Sequence, residues 1–453
     1  MRILHFTLGL PPNRSGGLTK YSTDLMVAQS ANGDTVSLLY PGDFTFWKFR
    51  NKRIEQQNFL REIAVYEIKN PCPVPLLHGI KEPLSILNES YKLSNDDLEN
   101  FYETVKPEVM HIHTLMGMPP ELLTFFKAKG VKTVFTSHDY FGLCLKVNFI
   151  NQDSRFCEKP GASVCELCNR NSKNTLFLRL RNSSYLLRYK DKLSIKTNSS
   201  TNNVSKKSFD IILPDSVRVE KYERLINYYH NLLNQIDCFH FNSSISREQY
   251  EKFITVRQAV VLPISHAGIT DSRKLKAFNS DCIRLAFIGH TTDYKGFPML
   301  KNALCKLNEN GIENWSLQVW GGLIAADSDN DKISYKGKFS HENLKTIYDD
   351  IDLLVVPSIW KETFSLITLE ALSYGVPVLV SSNVGAKDII ENYNSEFICY
   401  PSVDALYSKL ETILSNTVVL KDFNQKICTE TFEYLFEDHV QKMKQLYLNA
   451  IEN

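Results

Sequence analysis

No stretch of the 453-residue chain stays apolar for about 18 residues, the least a membrane-crossing helix needs, so none reads as a transmembrane span. The pattern of a secretory leader is missing too. Met1 to Leu10 has one arginine and a short apolar run broken by Pro11-Pro12, and it reads as a first β-strand. Charge of one sign is scarce: 52 Lys and Arg stand against 51 Asp and Glu, a formal net charge of +1, which gives no overall case for nucleic acid. No internal repeat stands out beyond two α/β halves. These absences point to a cytoplasmic protein without nucleic-acid partners.

What is present fits a globular protein. The apolar fraction of 43% allows real cores, and the length suits two or three domains. The chain opens as strand (Arg2 to Thr7), loop (Pro11 to Gly17), helix (Leu18 to Asn32) and strand (Thr35 to Tyr40), the order of a doubly wound α/β sheet. Gly16-Gly17 lies between strand and helix, where backbone approaches a ligand closely, but the pair is not part of a Gly-x-Gly-x-x-Gly dinucleotide signature. Val109 to His113 and Val131 to Thr136 read as further strands. The second delivers Ser137-His138-Asp139-Tyr140 at its C-terminal edge, where open α/β sheets bind ligands. Of His111 and His113, one is expected in the core and the other on a cleft. A polar linker, Ser265 to Asp281, separates this half from a second βαβ series starting at Ile283.

The second half is organised around Pro357 to Val378. A short apolar run ends at Pro357-Ser358, a helix follows from about Phe364 to Tyr374, and Gly375 stands as its C-cap glycine with Pro377 two residues on. Glu362 lies in the loop before the helix and Glu370 inside it. The free N–H groups of Thr363, Phe364, Ser365 and Leu366 make a helix N-terminus, a ready anion site with a carboxylate on either side.

Glu-x7-Glu after Pro-Ser, running into Glu-Ala-Leu-x-x-Gly-x-Pro-Val, resembles the retaining GT-B glycosyltransferases of family GT4. The resemblance covers nearly the whole chain and is strongest from Ile283 to Ile390. It implies an α/β GT-B fold, with two Rossmann-like doubly wound domains facing a cleft. The first would span residues 1–270 on the acceptor side and the second 282–430 on the nucleotide-sugar side. A closing helix in 431–453 would cross back to the first domain. By position, the resemblance places Gly16 and Gly17 over the donor diphosphate and His138 beside the sugar and the attacking hydroxyl. Lys295 and the N–H groups of Thr363 to Leu366 would hold the leaving diphosphate. Gly321 would lie beside the base, Glu362 on the donor sugar and Glu370 on the ribose. His290 stands where the family usually has arginine, and imidazole is a weaker phosphate clamp than guanidinium. Ser365 replaces the usual glycine. Asp329-Asn330-Asp331 matches an Asp-x-Asp metal motif only formally, because it follows no apolar strand.

Four of the ten cysteines cluster as Cys144, Cys157, Cys165 and Cys168, following His138-Asp139-Tyr140 as in one subgroup of the resembled family. Four thiolates can hold a structural zinc, with reduced unpaired thiols and then a redox pair as the other readings; such a zinc would not be catalytic, because four thiolates leave no open position. Leu176 to Lys196 carries Arg179, Arg181, Arg188, Lys190, Lys192 and Lys196 among apolar residues. It reads either as a helix on an anionic membrane surface or as a solvated helix packed on the first domain. Phe44 to Ser94, with Pro71, Pro73, Pro75 and Pro83, reads as a less regular insertion near the acceptor side.

The function expected from the resemblance is metal-independent transfer of a hexosyl group, with retention, from a UDP- or GDP-sugar to a glycan or lipid-linked acceptor. The setting would be bacterial surface polysaccharide synthesis, in the cytoplasm or at the inner face of the membrane. No catalytic cofactor is expected. Two other classes stay open: a GT-B-like protein that binds a sugar nucleotide without transfer (an epimerase or a degenerate partner subunit), and a structural membrane-surface adaptor.

Overall fold

The computed structural model describes residues 1–44, 52–87, 92–153, 155–183, 213–321, 331–339 and 343–452. Among these, two sheets carry the chain. The first has the order β3-β4-β2-β1-β5-β6-β7-β8. Its strands are β1 (Arg2–Phe6), β2 (Thr35–Pro41), β3 (Arg53–Gln56), β4 (Ala64–Lys69), β5 (Val109–Ile112), β6 (Lys132–Thr136), β7 (Cys238–Phe241) and β8 (Ala259–Val261). The second has the order β11-β10-β9-β12-β13-β14. It is built from β9 (Ile283–Ile288), β10 (Trp315–Trp320), β11 (Ile333–Gly337), β12 (Leu353–Val356), β13 (Val378–Ser381) and β14 (Ile398–Cys399). Every pairing is parallel except β3 with β4.

The sequence explains the parallel arrangement. Helices cover both faces, so strands such as Leu353-Leu354-Val355-Val356 are buried at every position and read as continuous apolar runs. The strand order reverses between β1 and β5 in the first sheet and between β9 and β12 in the second. Those two switch points are where a crevice opens at the carboxyl ends of the strands.

Residues 53–69 differ from the sequence reading. Ala64–Lys69 pairs with β2, and Arg53–Gln56 closes that edge antiparallel, so this segment extends the first sheet. A helix spans Pro120–Ala128 between β5 and β6. A helix spans Leu344–Asp349, and Ser340, whose residue type suits an N-cap, lies outside the described residues. So do Asp329, Asn330, Arg188, Lys190, Lys192 and Lys196; the described part of the basic segment is a helix over Thr175–Arg181.

The last helix, Phe436–Glu452, packs on the first half of the chain. His439 Nε2 lies 2.9 Å from the Tyr21 hydroxyl, and Lys444 pairs with Asp34 at 3.2 Å. No described helix is long and apolar enough to cross a membrane.

Candidate active site

The loops after β9 and β12 form one side of the site. Tyr294 O accepts hydrogen bonds from the Ile359 and Trp360 amides, at 2.9 and 3.2 Å, which ties the two loops together. Gly296, at φ +76°, packs where any Cβ would run into the Pro357 carbonyl oxygen, so glycine is required after Lys295. Lys295 Nζ is half-buried, 2.7 Å from Glu362 Oε1, and lies over the Trp360 ring. Ser358 also donates to Glu362 Oε1. The Glu362 backbone is pinned between Asn383 O and the Gly385 amide, at 2.8 and 3.0 Å.

The helix Leu366–Ser373 then begins, with its free amides at the mouth of the site. Its N-cap, Ser365, sits at φ +118°, a conformation that L-residues rarely adopt and that explains why glycine would suit this position. Glu370 is buried on the same helix. Its two oxygens accept from His266 Nε2 at 2.9 Å and the Tyr348 hydroxyl at 3.1 Å. His266 accepts the Gly268 amide on Nδ1, so its Nε2 carries the proton that Glu370 receives. His290 is exposed just past β9, and Gly321 ends β10 against the Gly289 backbone.

The first sheet supplies the facing side. Gly16, at φ +107°, and Gly17 start the helix Gly17–Ala31, and a Cβ on Gly17 would come within 3.5 Å of Leu366. The N-termini of two helices thus meet across the seam. His138 follows β6, and its carbonyl oxygen accepts the Thr363 hydroxyl at 3.0 Å. Ser243, at the end of β7, donates to Thr363 O at 2.7 Å, and Ser244 bonds Asp388 twice at 2.7 Å. The structure therefore brings Gly16, Gly17, His138, Lys295, Glu362 and the segment Thr363 to Leu366 into one place.

Burial pushes the His138 imidazole down to about 3 and the Asp139 carboxyl up to about 6; the Phe141 amide, donating to Asp139 at 2.8 Å, offsets part of the latter. His111 and His113 are both fully buried, so neither lines the cleft directly. Residues the sequence reading did not single out also shape the site: His266, Tyr348, Ser358 and Trp360. His266 lay in a stretch read only as linker. Beside the Gly16 loop, a cleft of about 380 Å³ opens between Leu8, Arg14, Tyr40, Glu67 and Asn182.

The four clustered cysteines lie in one neighbourhood. Burial and the neighbouring thiols raise Cys157, Cys144 to about 11 and Cys165 to about 12, while backbone amides of Lys146 and Phe149 oppose the rise at Cys144. Four thiols are a donor set that zinc favours, but no three of these sulfurs lie within 4.8 Å of one another, so an ion would have to draw them together.

Two facing parallel α/β sheets with the site between their carboxyl edges define a GT-B fold. Residues 268–428, in the second half of the chain, match the family model described as Glycosyl transferases group 1. Over 195 residues the chain is 27% identical to an uncharacterized glycosyltransferase of Methanocaldococcus jannaschii, covering 41% of this chain and 44% of that protein. The chain spans less than half the length of the curated relatives it matches, 44% and 46%. Among solved structures, sucrose-phosphate synthase from Thermosynechococcus elongatus aligns with a TM-score of 0.57 at 14% identity, over 99% of both chains. The UDP-forming α,α-trehalose-phosphate synthase of Burkholderia xenovorans, in complex with glucose-6-phosphate, aligns at 0.57 with 12% identity over 100% of both. At such identities the likeness is one of fold.

Proposed function

We propose that the chain is a retaining glycosyltransferase that moves a hexosyl group from a nucleotide-diphosphate-sugar to a hydroxyl of a glycan or lipid-linked acceptor. Bacterial surface polysaccharide synthesis at the inner face of the membrane is the setting it would serve. The observation that carries the reading is the seam at Thr363. There the helix N-terminus of the second sheet, flanked by Glu362 and Lys295, is bonded directly to the end of β6 beside His138.

In this reading the leaving diphosphate sits on the amides that open the Leu366–Ser373 helix, with Lys295 turning from Glu362 to the phosphate. Both act on charge that grows as the glycosidic bond breaks, and such a donor is worth about 10²–10³ in rate. No divalent metal is used. Glu370 keeps free lone pairs beside its His266 and Tyr348 bonds and would accept the ribose hydroxyls. Gly16 and Gly17 let backbone close over the diphosphate, and the cleft beside Arg14 and Tyr40 would take the acceptor. Cys144, Cys157, Cys165 and Cys168 would hold a structural zinc that braces the loop following His138. A basic helix starting at Thr175 would rest on anionic lipid.

Binding of a sugar nucleotide without transfer is the second reading. The Lys295–Glu362 ion pair and the imidazole at His290 favour it, since together they leave the phosphate site with little free cationic charge. Thermal melting with UDP, GDP, ADP and their sugar conjugates tests the donor site, with Glu370→Gln as control. A ligand at 100 times its Kd adds about 2.7 kcal/mol of stability. A shift with one base, lost in the variant, is expected, and no shift with any would overturn both readings. Release of that nucleotide on addition of acceptor glycan then separates transfer from binding alone.

A further inference from the structure

Under the first sheet, neighbouring strands carry histidines where parallel strands normally carry aliphatic residues: His5 on β1, His111 on β5 and His240 on β7, with His113 just past β5. A buried polar group must find a partner. Here the partners form one continuous chain, and a single backbone carbonyl fixes its direction.

Leu262 O can only accept, so His240 Nε2 carries the proton of their 2.8 Å bond. His240 Nδ1 is then a lone pair, and the Thr136 hydroxyl donates to it at 2.9 Å. Thr136, its proton spent, accepts from His111 Nε2 at 2.6 Å. His111 Nδ1 accepts from the Tyr447 hydroxyl at 2.7 Å, and Tyr447 accepts from the Gln29 amide nitrogen at 3.1 Å. The Gln29 carbonyl therefore faces His5 and accepts from its Nε2 at 2.8 Å. His5 Nδ1 accepts from His113 Nε2 at 3.0 Å, and His113 Nδ1 accepts from His138 Nε2 at 3.1 Å. Each step requires neutral imidazoles. Burial holds His5 and His240 down at about 4 and His111 and His113 well below their ordinary value.

We propose that this chain from Leu262 O to His138 fixes the tautomer of His138, so that its Nδ1 presents a lone pair to the cleft as a hydrogen-bond acceptor, with Gln29 and Tyr447 as positioning residues. Among the described residues, no protein group bonds His138 Nδ1. Such a histidine cannot act as an acid or donate to a phosphate; it accepts a hydrogen bond from a hydroxyl. That the hydroxyl belongs to a sugar rests on the glycosyltransferase reading. The closing helix joins the site through Tyr447, which makes it part of the machinery that orients His138. The same three rings, His5, His111 and His113, bring ligand nitrogens within 4.8 Å of one another, but the chain uses both nitrogens of each, which leaves no lone pair for a metal.

Nitrogen NMR of the [15N]histidine-labelled full chain tests this without any substrate, with the His138 signals assigned by their loss in His138→Asn. The expected result is a protonated Nε2 and an unprotonated Nδ1 at His138, with through-bond coupling from the His138 Nε2–H proton to His113 Nδ1. In Tyr447→Phe the Gln29 amide loses its anchor, and the His138 signals should split or broaden into two tautomers while the fold persists. Should that variant not fold, Thr136→Val cuts the chain at a different link and should do the same. A protonated Nδ1 at His138 in the unmodified protein, or signals unchanged in a folded variant, would each overturn the proposal. Melting with UDP in the same samples tests the donor site separately, so failure there leaves the tautomer result standing.

Discussion

Lys295 Nζ lies 2.7 Å from Glu362 Oε1, so the cation expected to meet a diphosphate is held by a carboxylate of the same site. Nucleotide and Glu362 compete for it. Replacing Glu362 by Gln keeps the side chain's shape and removes a negative charge from beside the phosphate site. UDP, or whichever diphosphate binds, should then bind roughly threefold to tenfold more tightly, since about 1.4 kcal/mol is tenfold in affinity. Sugar transfer should fall in the same variant. Titration calorimetry and an initial-rate assay check the two halves. Weaker nucleotide binding in Glu362→Gln would show that the carboxylate holds the ligand rather than competing with it.

The fold was legible because parallel strands buried on both faces leave continuous apolar runs, as at Leu353 to Val356, and because a helix cap such as Gly375 punctuates them. The site's outline was legible because loops after such strands carry ligands, and Gly16, His138 and Lys295 all lie there. Two things stayed hidden. Ala64–Lys69 is a short strand next to a proline-rich stretch, and the prolines dominated its reading. The histidine chain links positions 5, 29, 111, 113, 138, 240 and 447, which no local spacing connects; the register of β1, β5, β6 and β7 brings most of them together. One signal was present. A histidine inside an otherwise apolar strand, as in Cys238-Phe239-His240-Phe241, demands a buried partner.

Ser365 holds φ at +118°, where a Cβ is strained and glycine is not. A residue held there costs on the order of 1–3 kcal/mol. Ser365→Gly relieves the strain but loses the Thr368 hydroxyl's 3.1 Å bond to Ser365 Oγ and loosens the unfolded chain. The net expectation is a gain of roughly 1 kcal/mol, read as a higher urea midpoint at unchanged slope. A lower midpoint would mean that the seryl hydroxyl matters more to the loop than its backbone strain.

Zinc on Cys144, Cys157, Cys165 and Cys168 would staple the segment that follows His138-Asp139-Tyr140. Elemental analysis of the purified chain should find one zinc per chain, and its removal by a strong chelator should lower the melting temperature. Cys165→Ser should lose the metal and most of that sensitivity. A metal-free protein whose melting is indifferent to chelator would leave the cysteines as buried thiols.

The buried histidines also set the acid limit of stability. His5, His111, His113 and His240 are neutral in the folded chain, with values depressed by burial to about 4 for His5 and His240 and well below the ordinary range for the other two. Once unfolded, each takes up a proton near its ordinary 6.5. Between about 6.5 and 4 the unfolded state therefore binds more protons, so stability is fully present above 6.5 and falls as pH falls. One pH unit of that window is worth about 1.4 kcal/mol per group, so by pH 5.5 the four together should cost on the order of 5 kcal/mol. Urea unfolding at pH 7.5 and 5.5 reads this directly. His240→Gln should flatten the slope by one proton's worth, provided it folds with Leu262 O still bonded. An unchanged midpoint between the two pH values would mean that the histidines are charged in the folded state, and a charged ring has no lone pair with which to continue the chain from Leu262 to His138.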